Sequence, residues 1–128
     1  MKNILIVDDS KLVLKALLDR TLKGKKLRPN LALNFQQAKS AVESGKEFFV
    51  AIAELMLPDC SETELVEYLL SKKIPTIVLS GSIDKKLRSD LLQMPIVDYI
   101  MKNGTEDIRS AINLAELLLH NKKIKTLI

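Results

Sequence analysis

Short apolar-rich runs recur along the chain at regular intervals. A continuous apolar run of a few residues is typical of a strand in a parallel sheet whose two faces are both covered. Pro29 and Asn30 are expected to break the chain just before the second run, because proline cannot donate a ladder hydrogen bond. The five predicted strands lie at residues 4–7, 31–33, 48–55, 77–79 and 97–101.

Amphipathic stretches separate these runs and predict helices. Ser10, Asn34 and Thr105 stand where a side-chain oxygen can accept hydrogen bonds from a first helical turn. The stretch 82–92 is also predicted to be helical, with apolar residues one turn apart. Five strands that alternate with five helices predict an α/β fold, a doubly wound five-stranded parallel sheet with helices on both faces.

Polar side chains follow the predicted strands at the points where those strands end. In open parallel sheets, ligands bind beyond the carboxyl ends of the strands, so these side chains are expected to share one crevice. Adjacent carboxylates repel one another unless a cation neutralises them, and Mg²⁺ prefers hard oxygen ligands of this kind. The set comprises Asp8 and Asp9 after the first strand, Glu54 in the third, Ser80 after the fourth and Lys102 after the fifth.

Four spaced motifs resemble the receiver domains of two-component response regulators. The resemblance implies a flavodoxin-like (βα)5 fold with strand order 2-1-3-4-5. It implies a switch hydroxyl at Ser80, an aromatic switch at Tyr99 and a phosphate contact at Lys102. It also implies a weak Mg²⁺ site formed by Asp8, Asp9, Glu54 and the backbone carbonyl of Met56. The motifs are residues 7–10, 55–59, 80–81 and 98–102.

One departure from the receiver pattern affects function most. The family's phosphoacceptor aspartate lies four residues before a proline, and here that position holds Glu54, before Pro58. The extra methylene moves the carboxylate by about 1.5 Å, and phosphoryl transfer depends on close placement of the reacting atoms. The expectation is a noncatalytic pseudo-receiver that regulates without ordinary phosphorylation. Two interpretations stay open: Glu54 biases the domain towards its phosphorylated state, or the site is degenerate.

Three alternatives remain beside this interpretation. The first is a conventional receiver that is phosphorylated or binds Mg²⁺ in the usual way. The second is a magnesium-dependent phosphohydrolase of the haloacid-dehalogenase kind, which needs two aspartates separated by one residue, whereas Asp8 and Asp9 are adjacent. The third is a flavodoxin-like FMN binder, which would need a phosphate-binding loop where these two carboxylates would instead repel phosphate.

Composition limits the classes of partner. The net charge is +4, and Lys23, Lys25, Lys26 and Arg28 cluster, but no aromatic residue lies among them. We therefore expect a solvated helix end and neither a nucleic-acid nor a membrane partner. The single cysteine, the lack of an apolar run of membrane-spanning length and the lack of a signal-peptide pattern predict a cytoplasmic protein.

The end of the chain predicts a further domain. Residues 125–128 resemble residues 2–6, the first predicted strand. We expect residues 1–121 to form a receiver domain and residues 122–128 to be a linker and the start of a second, truncated domain. The expected partners are a neighbouring receiver or an output domain, of the diguanylate cyclase type by family resemblance, and a second copy in a homodimer.

Overall fold

The computed structural model describes the backbone of residues 1–127 and the side chains of residues 1–121. Strands and helices alternate throughout, as the sequence predicts. In chain order they are β1 (Lys2–Val7), α1 (Lys11–Gly24), β2 (Leu27–Ala32), α2 (Phe35–Glu43), β3 (Phe48–Ala53), α3 (Glu64–Ser71), β4 (Thr76–Ser80), α4 (Lys85–Leu92), β5 (Asp98–Met101) and α5 (Thr105–Leu127).

The five strands form one parallel sheet in the order β2-β1-β3-β4-β5, which confirms the predicted flavodoxin-like fold. Alternate residues of β1 point to opposite faces, so Ile4 and Ile6 enter one core while Leu5 and Val7 enter the other. Helices α1 and α5 cover the first face, and α2, α3 and α4 cover the second. With both faces covered, the edge at the C-terminal ends of the strands remains available for a site.

Side-chain caps start the first two helices as predicted. The Ser10 hydroxyl accepts a hydrogen bond from the Val13 N–H at 3.3 Å, and Asn34 Oδ1 accepts one from the Gln37 N–H at 2.8 Å. Each contact satisfies a first-turn donor that has no partner inside the helix. Helix α1 ends with Lys25 in the left-handed region at φ 56°, which turns the chain into β2.

Several predicted boundaries differ from the structure; for example, β3 ends at Ala53, so Glu54 follows that strand. Two of the differences have a clear physical cause. Strand β2 begins at Leu27 and contains Pro29, which pairs in register with Ile4. Because β2 lies at the edge of the sheet, a residue without an N–H is tolerated there. Helix α4 begins three residues later than predicted, since Asp84 caps it by accepting from the Leu87 N–H at 3.0 Å. The Ser82 hydroxyl instead accepts from the Asp84 N–H within the preceding loop.

The end of the chain also differs from the expectation. Helix α5 continues through residue 127, so the backbone of residues 125–127 is helical and not a strand. Residues 122–127 are rich in lysine, which has good helix propensity and suits a helix C-terminus. Ile128 lies outside the described residues, and the division of the chain into two domains stays a prediction. No helix within the described residues has the length and apolar character needed to span a membrane.

Candidate functional site

The C-terminal edge of the sheet holds three buried polar side chains. Asp8 follows β1, Glu54 follows β3 and Ser80 ends β4, with exposed fractions of 2%, 6% and 0%. Backbone hydrogen bonds fix the first two, because the Asp8 N–H donates to the Ala32 carbonyl and the Glu54 N–H to the Val7 carbonyl. The parallel ladders therefore extend just far enough to bring these side chains together.

Lys102 joins the two buried carboxylates. Its Nζ lies 2.8 Å from Asp8 Oδ2 and 3.2 Å from Glu54 Oε1. These contacts agree with the expectation that the strand-end side chains share one crevice. Such charge-assisted hydrogen bonds are stronger than neutral ones, and they are screened little by solvent when the partners are buried.

The other oxygen of each carboxylate meets a backbone donor close in sequence. Asp8 Oδ1 accepts from the Ser10 N–H at 2.8 Å, and Glu54 Oε2 accepts from the Leu55 N–H at 2.8 Å. The Glu54 contact folds its long side chain back on its own backbone where β3 ends. All four oxygens of the two carboxylates are therefore engaged by donors of this chain.

Burial and the neighbouring charges act in opposite directions on the pKa values of Asp8 and Lys102. Burial raises the pKa of Asp8, against the hydrogen bond from Lys102 and the backbone N–H of Ser10. Desolvation lowers the pKa of Lys102, but the hydrogen bonds and charges of Asp8 and Glu54 outweigh it and raise that pKa overall. Burial thus opposes the charged form of Asp8, whereas Asp8 and Glu54 stabilise the charged form of Lys102.

The two predicted switch residues lie beside the carboxylates. The Ser80 hydroxyl accepts from the Ser82 N–H at 3.3 Å, within its own loop. Tyr99 is turned inward with 4% of its surface exposed, and its hydroxyl donates to the Ser82 carbonyl at 3.4 Å. The guanidinium of Arg88 lies 5.4 Å from the centre of the Tyr99 ring. Both switch positions therefore contact the same loop after β4.

Two of the residues predicted to bind metal are more exposed than this buried group. Asp9 is exposed, and the side chain of Met56 is 54% exposed. Both line a shallow cavity of about 370 Å³ next to Pro58 and Cys60. The structure thus gathers Asp8, Glu54, Ser80, Tyr99 and Lys102, and places Asp9 and Met56 on the rim.

A family model described as the response regulator receiver domain matches residues 4–113. The chain belongs to this receiver family. No curated protein matches it significantly.

Solved structures support the same assignment. A CheY-like response regulator receiver domain protein from Methanospirillum hungatei JF-1 is 26% identical, with a TM-score of 0.76 over 96% of this chain and 98% of that one. A probable two-component system response regulator/GGDEF domain protein is also 26% identical, with a TM-score of 0.83. That match covers 94% of this chain and 48% of the other.

Receiver domains bind Mg²⁺ at the phosphorylation site, which raises the question of whether the oxygen ligands of this crevice suit a metal ion. Among the described residues, no group of three or more carboxylate, histidine or cysteine side chains is arranged to hold a metal ion. The two buried carboxylates already accept hydrogen bonds on every oxygen. In this arrangement the side chains do not fit a metal, and the predicted set of Asp8, Asp9, Glu54 and Met56 stays a prediction.

Sequence reasoning missed one residue that shapes the receiver site. Asp59 accepts from the N–H groups of Phe35 at 2.9 Å and Gln36 at 3.0 Å, so it ties the loop after β3 to the start of α2. These hydrogen bonds lower the pKa of Asp59. An aspartate directly after Pro58 gave a local turn signal, but nothing in the sequence indicated a helix 23 residues earlier as its target.

Proposed function

We propose that this receiver domain is a noncatalytic signalling module that regulates a neighbouring domain through its surface, without phosphorylation at position 54. The observation that carries the proposal is the state of Glu54, whose two oxygens contact the Lys102 ammonium and the Leu55 N–H. A carboxylate must present an oxygen in line with phosphorus to accept a phosphoryl group. Glu54 is buried and held by contacts on both oxygens, which opposes that placement.

The charge of Glu54 gives the module a partial and permanent bias. A phosphoryl group brings nearly two charges and three acceptor oxygens, whereas Glu54 brings one charge and reaches Lys102. The Ser80 hydroxyl contacts Ser82 in its own loop. Glu54 thus engages one of the two groups that the receiver resemblance assigns to phosphate, which supports partial bias over full mimicry.

The proposal also covers the partners of this domain and its location in the cell. The partner is a neighbouring receiver or an output domain, since the chain is similar to part of a response regulator/GGDEF domain protein. A second copy of the chain is a further candidate partner, and the expected compartment is the cytoplasm. The Ser80 carbonyl accepts from the Lys102 N–H, and the Ser80 hydroxyl is linked through the backbone of Ser82 to Tyr99. A neighbouring domain would respond to the surface around these residues.

Incubation with acetyl phosphate and Mg²⁺ tests the proposal by intact mass. We expect no change in the mass of the wild-type protein. Glu54→Asp, which shortens the side chain by one methylene, should gain one phosphoryl group. Glu62→Asp makes the same change at an exposed residue of the next loop and should gain none. Stoichiometric phosphorylation of the wild type that disappears in Glu54→Gln would overturn the proposal.

A further inference from the structure

A cavity lies at the N-terminal edge of the sheet, opposite the crevice that contains Lys102. It has a volume of about 690 Å³ and is lined by the start of β1, the end of α1 and one stretch of α5. Small-molecule sites in proteins typically measure about 300–1,000 Å³, so this cavity has room for a ligand of nucleotide size. The lining residues with functional groups or apolar surface for such a ligand are Lys2, Lys25, Lys26, Glu116, Leu119 and His120.

Three lysines reach this cavity from two separate segments. Lys2 begins β1 and pairs in register with Leu27, the residue after Lys26. Lys25 ends α1, where its N–H donates to the Leu22 carbonyl at 3.2 Å and its φ is 56°. A residue with a side chain adopts this left-handed region only where the surrounding structure holds it there. The backbone of all three lysines is therefore fixed by the fold, although their side chains are exposed.

The ammonium groups of these three lysines have no partner within the part of the chain whose side chains the structure describes. None of them forms an ion pair or a hydrogen bond there. Each ammonium carries three N–H donors, and lysine is a common phosphate-binding residue. Because like charges repel when they line one cavity, a bound anion would stabilise all three at once.

One carboxylate lines the same cavity. A Cβ atom at Gly24 would collide with the Glu116 carboxylate, so this group lies against the backbone at the end of α1. Among the described side chains it too has no ion-pair partner. Such a carboxylate repels a simple anion but accepts hydrogen bonds from hydroxyl or amino groups. Next to it, the buried Leu119 adds an apolar surface and His120 a further hydrogen-bonding group.

We propose that this cavity binds a small phosphorylated ligand that also carries hydroxyl or amino groups, with the phosphate on the three lysines and a donor group on Glu116. An acidic segment of a protein would contact the lysines equally well, but Glu116 would repel it and it would not require a concave site. The combination of charges therefore favours a small ligand. The inference does not depend on Glu54 or on phosphorylation at the opposite edge of the sheet.

The first test is a titration of the wild type with AMP at about 0.1 M salt, without divalent ions, followed by NMR shifts of the backbone N–H groups. We expect saturable shifts at residues 24–26 and 116–120. The double variant Lys25→Gln with Lys26→Gln should bind AMP about tenfold more weakly, because two charged phosphate contacts are lost. The matched control, Lys85→Gln with Lys86→Gln, changes two adjacent exposed lysines at the start of α4 and should bind like the wild type. Absence of saturable shifts at the cavity, or equal weakening in both double variants, would overturn the inference.

A comparison of AMP with inorganic phosphate distinguishes a ligand site from a patch of positive charge. AMP should bind at least about tenfold more tightly, because it can donate hydrogen bonds to Glu116 and contact Leu119. Glu116→Gln should narrow this preference, since loss of the negative charge improves phosphate binding and weakens the hydrogen bond from AMP. Glu106→Gln makes the same change at an exposed residue in the first turn of α5 and should leave the preference intact. Equal affinity of the wild type for the two ligands, or a preference that Glu116→Gln does not alter, would contradict the proposed site.

Discussion

The lysines at the two edges of the sheet differ in what surrounds them. At the C-terminal edge, Lys102 is 18% exposed and contacts two buried carboxylates. At the other edge of the sheet, around the C-terminal end of α1, three lysines are all exposed: Lys23, Lys25 and Lys26. Within the described part of the chain none of these three forms an ion pair. The same residue type therefore stabilises a buried charge group at one edge and is solvated at the other.

Burial explains the difference. An ammonium near a buried carboxylate interacts through a medium of low effective dielectric constant, whereas solvent and salt weaken the same interaction at the surface. Lys23 lies in the last turn of α1, where positive charge interacts favourably with the helix dipole. The net charge of +4 therefore does not indicate the site, and Lys102 is recognised by its position after a strand.

The largest expected effect comes from Lys102→Met. This change leaves Asp8 and Glu54 buried without their cation, and breaking a buried pair by removal of one partner costs about 3–5 kcal/mol. We expect a loss of this size in the free energy of unfolding, measured by urea denaturation at neutral pH without divalent ions. Protonation of Asp8, whose pKa burial already raises, would relieve part of the loss, so the deficit should shrink at acidic pH.

Lys15→Met is the control for this substitution. Lys15 and Asp19 form an exposed ion pair one helical turn apart, with side chains 72% and 59% exposed. Pairs of this kind contribute about 0.3–0.5 kcal/mol. If the two variants lost equal stability, the contrast between the buried and the exposed lysine would be wrong.

The sequence predicted the buried group well and its rim poorly. Asp8, Glu54, Ser80 and Lys102 could be placed together because parallel strands end at one edge, which follows from the order of elements alone. The exposure of Asp9 could not be predicted, because a one-residue step past the end of a strand decides whether a side chain points inward. The Asp59 contact with α2 was equally hidden, since it joins residues that are 23 and 24 positions apart. The break predicted at Pro29 was wrong because tolerance of proline depends on whether its strand lies at the edge of the sheet.

A second, smaller effect is expected in alkaline solution. The pKa of Lys102 is raised in the folded protein. Burial alone would lower it, but the hydrogen bonds and charges of Asp8 and Glu54 together raise it by more. A raised pKa in the folded state means that the stabilisation is complete below the unfolded value of 10.5 and is lost as pH rises through the folded value. Urea denaturation of the wild type should therefore show stability falling above that pH.

Comparison with Lys102→Met isolates the contribution of Lys102. Burial also raises the pKa of Tyr68 and Tyr99, so the ionisation of both tyrosines likewise lowers the stability of the folded state as pH rises through the same range. These two residues are present in the wild type and the variant, and their contribution largely cancels in the difference. The difference in stability between the two proteins should narrow as pH rises, and a constant difference would contradict the assignment to Lys102.

The smallest effect is expected at the solvated lysines, for the double variant Lys23→Ala with Lys26→Ala. Favourable interaction of an exposed cation with a helix C-terminus is worth about 0.3–1 kcal/mol at low ionic strength. The variant should lose no more than about 1 kcal/mol, and added salt should remove most of that loss because both side chains are exposed.

The double variant Lys85→Ala with Lys86→Ala is the matched control. These exposed lysines begin α4, where positive charge opposes the helix dipole, so this change should be neutral or slightly stabilising. A salt-insensitive loss in the first pair, comparable to that of Lys102→Met, would show that the basic end of α1 contains a buried interaction that its exposure does not indicate.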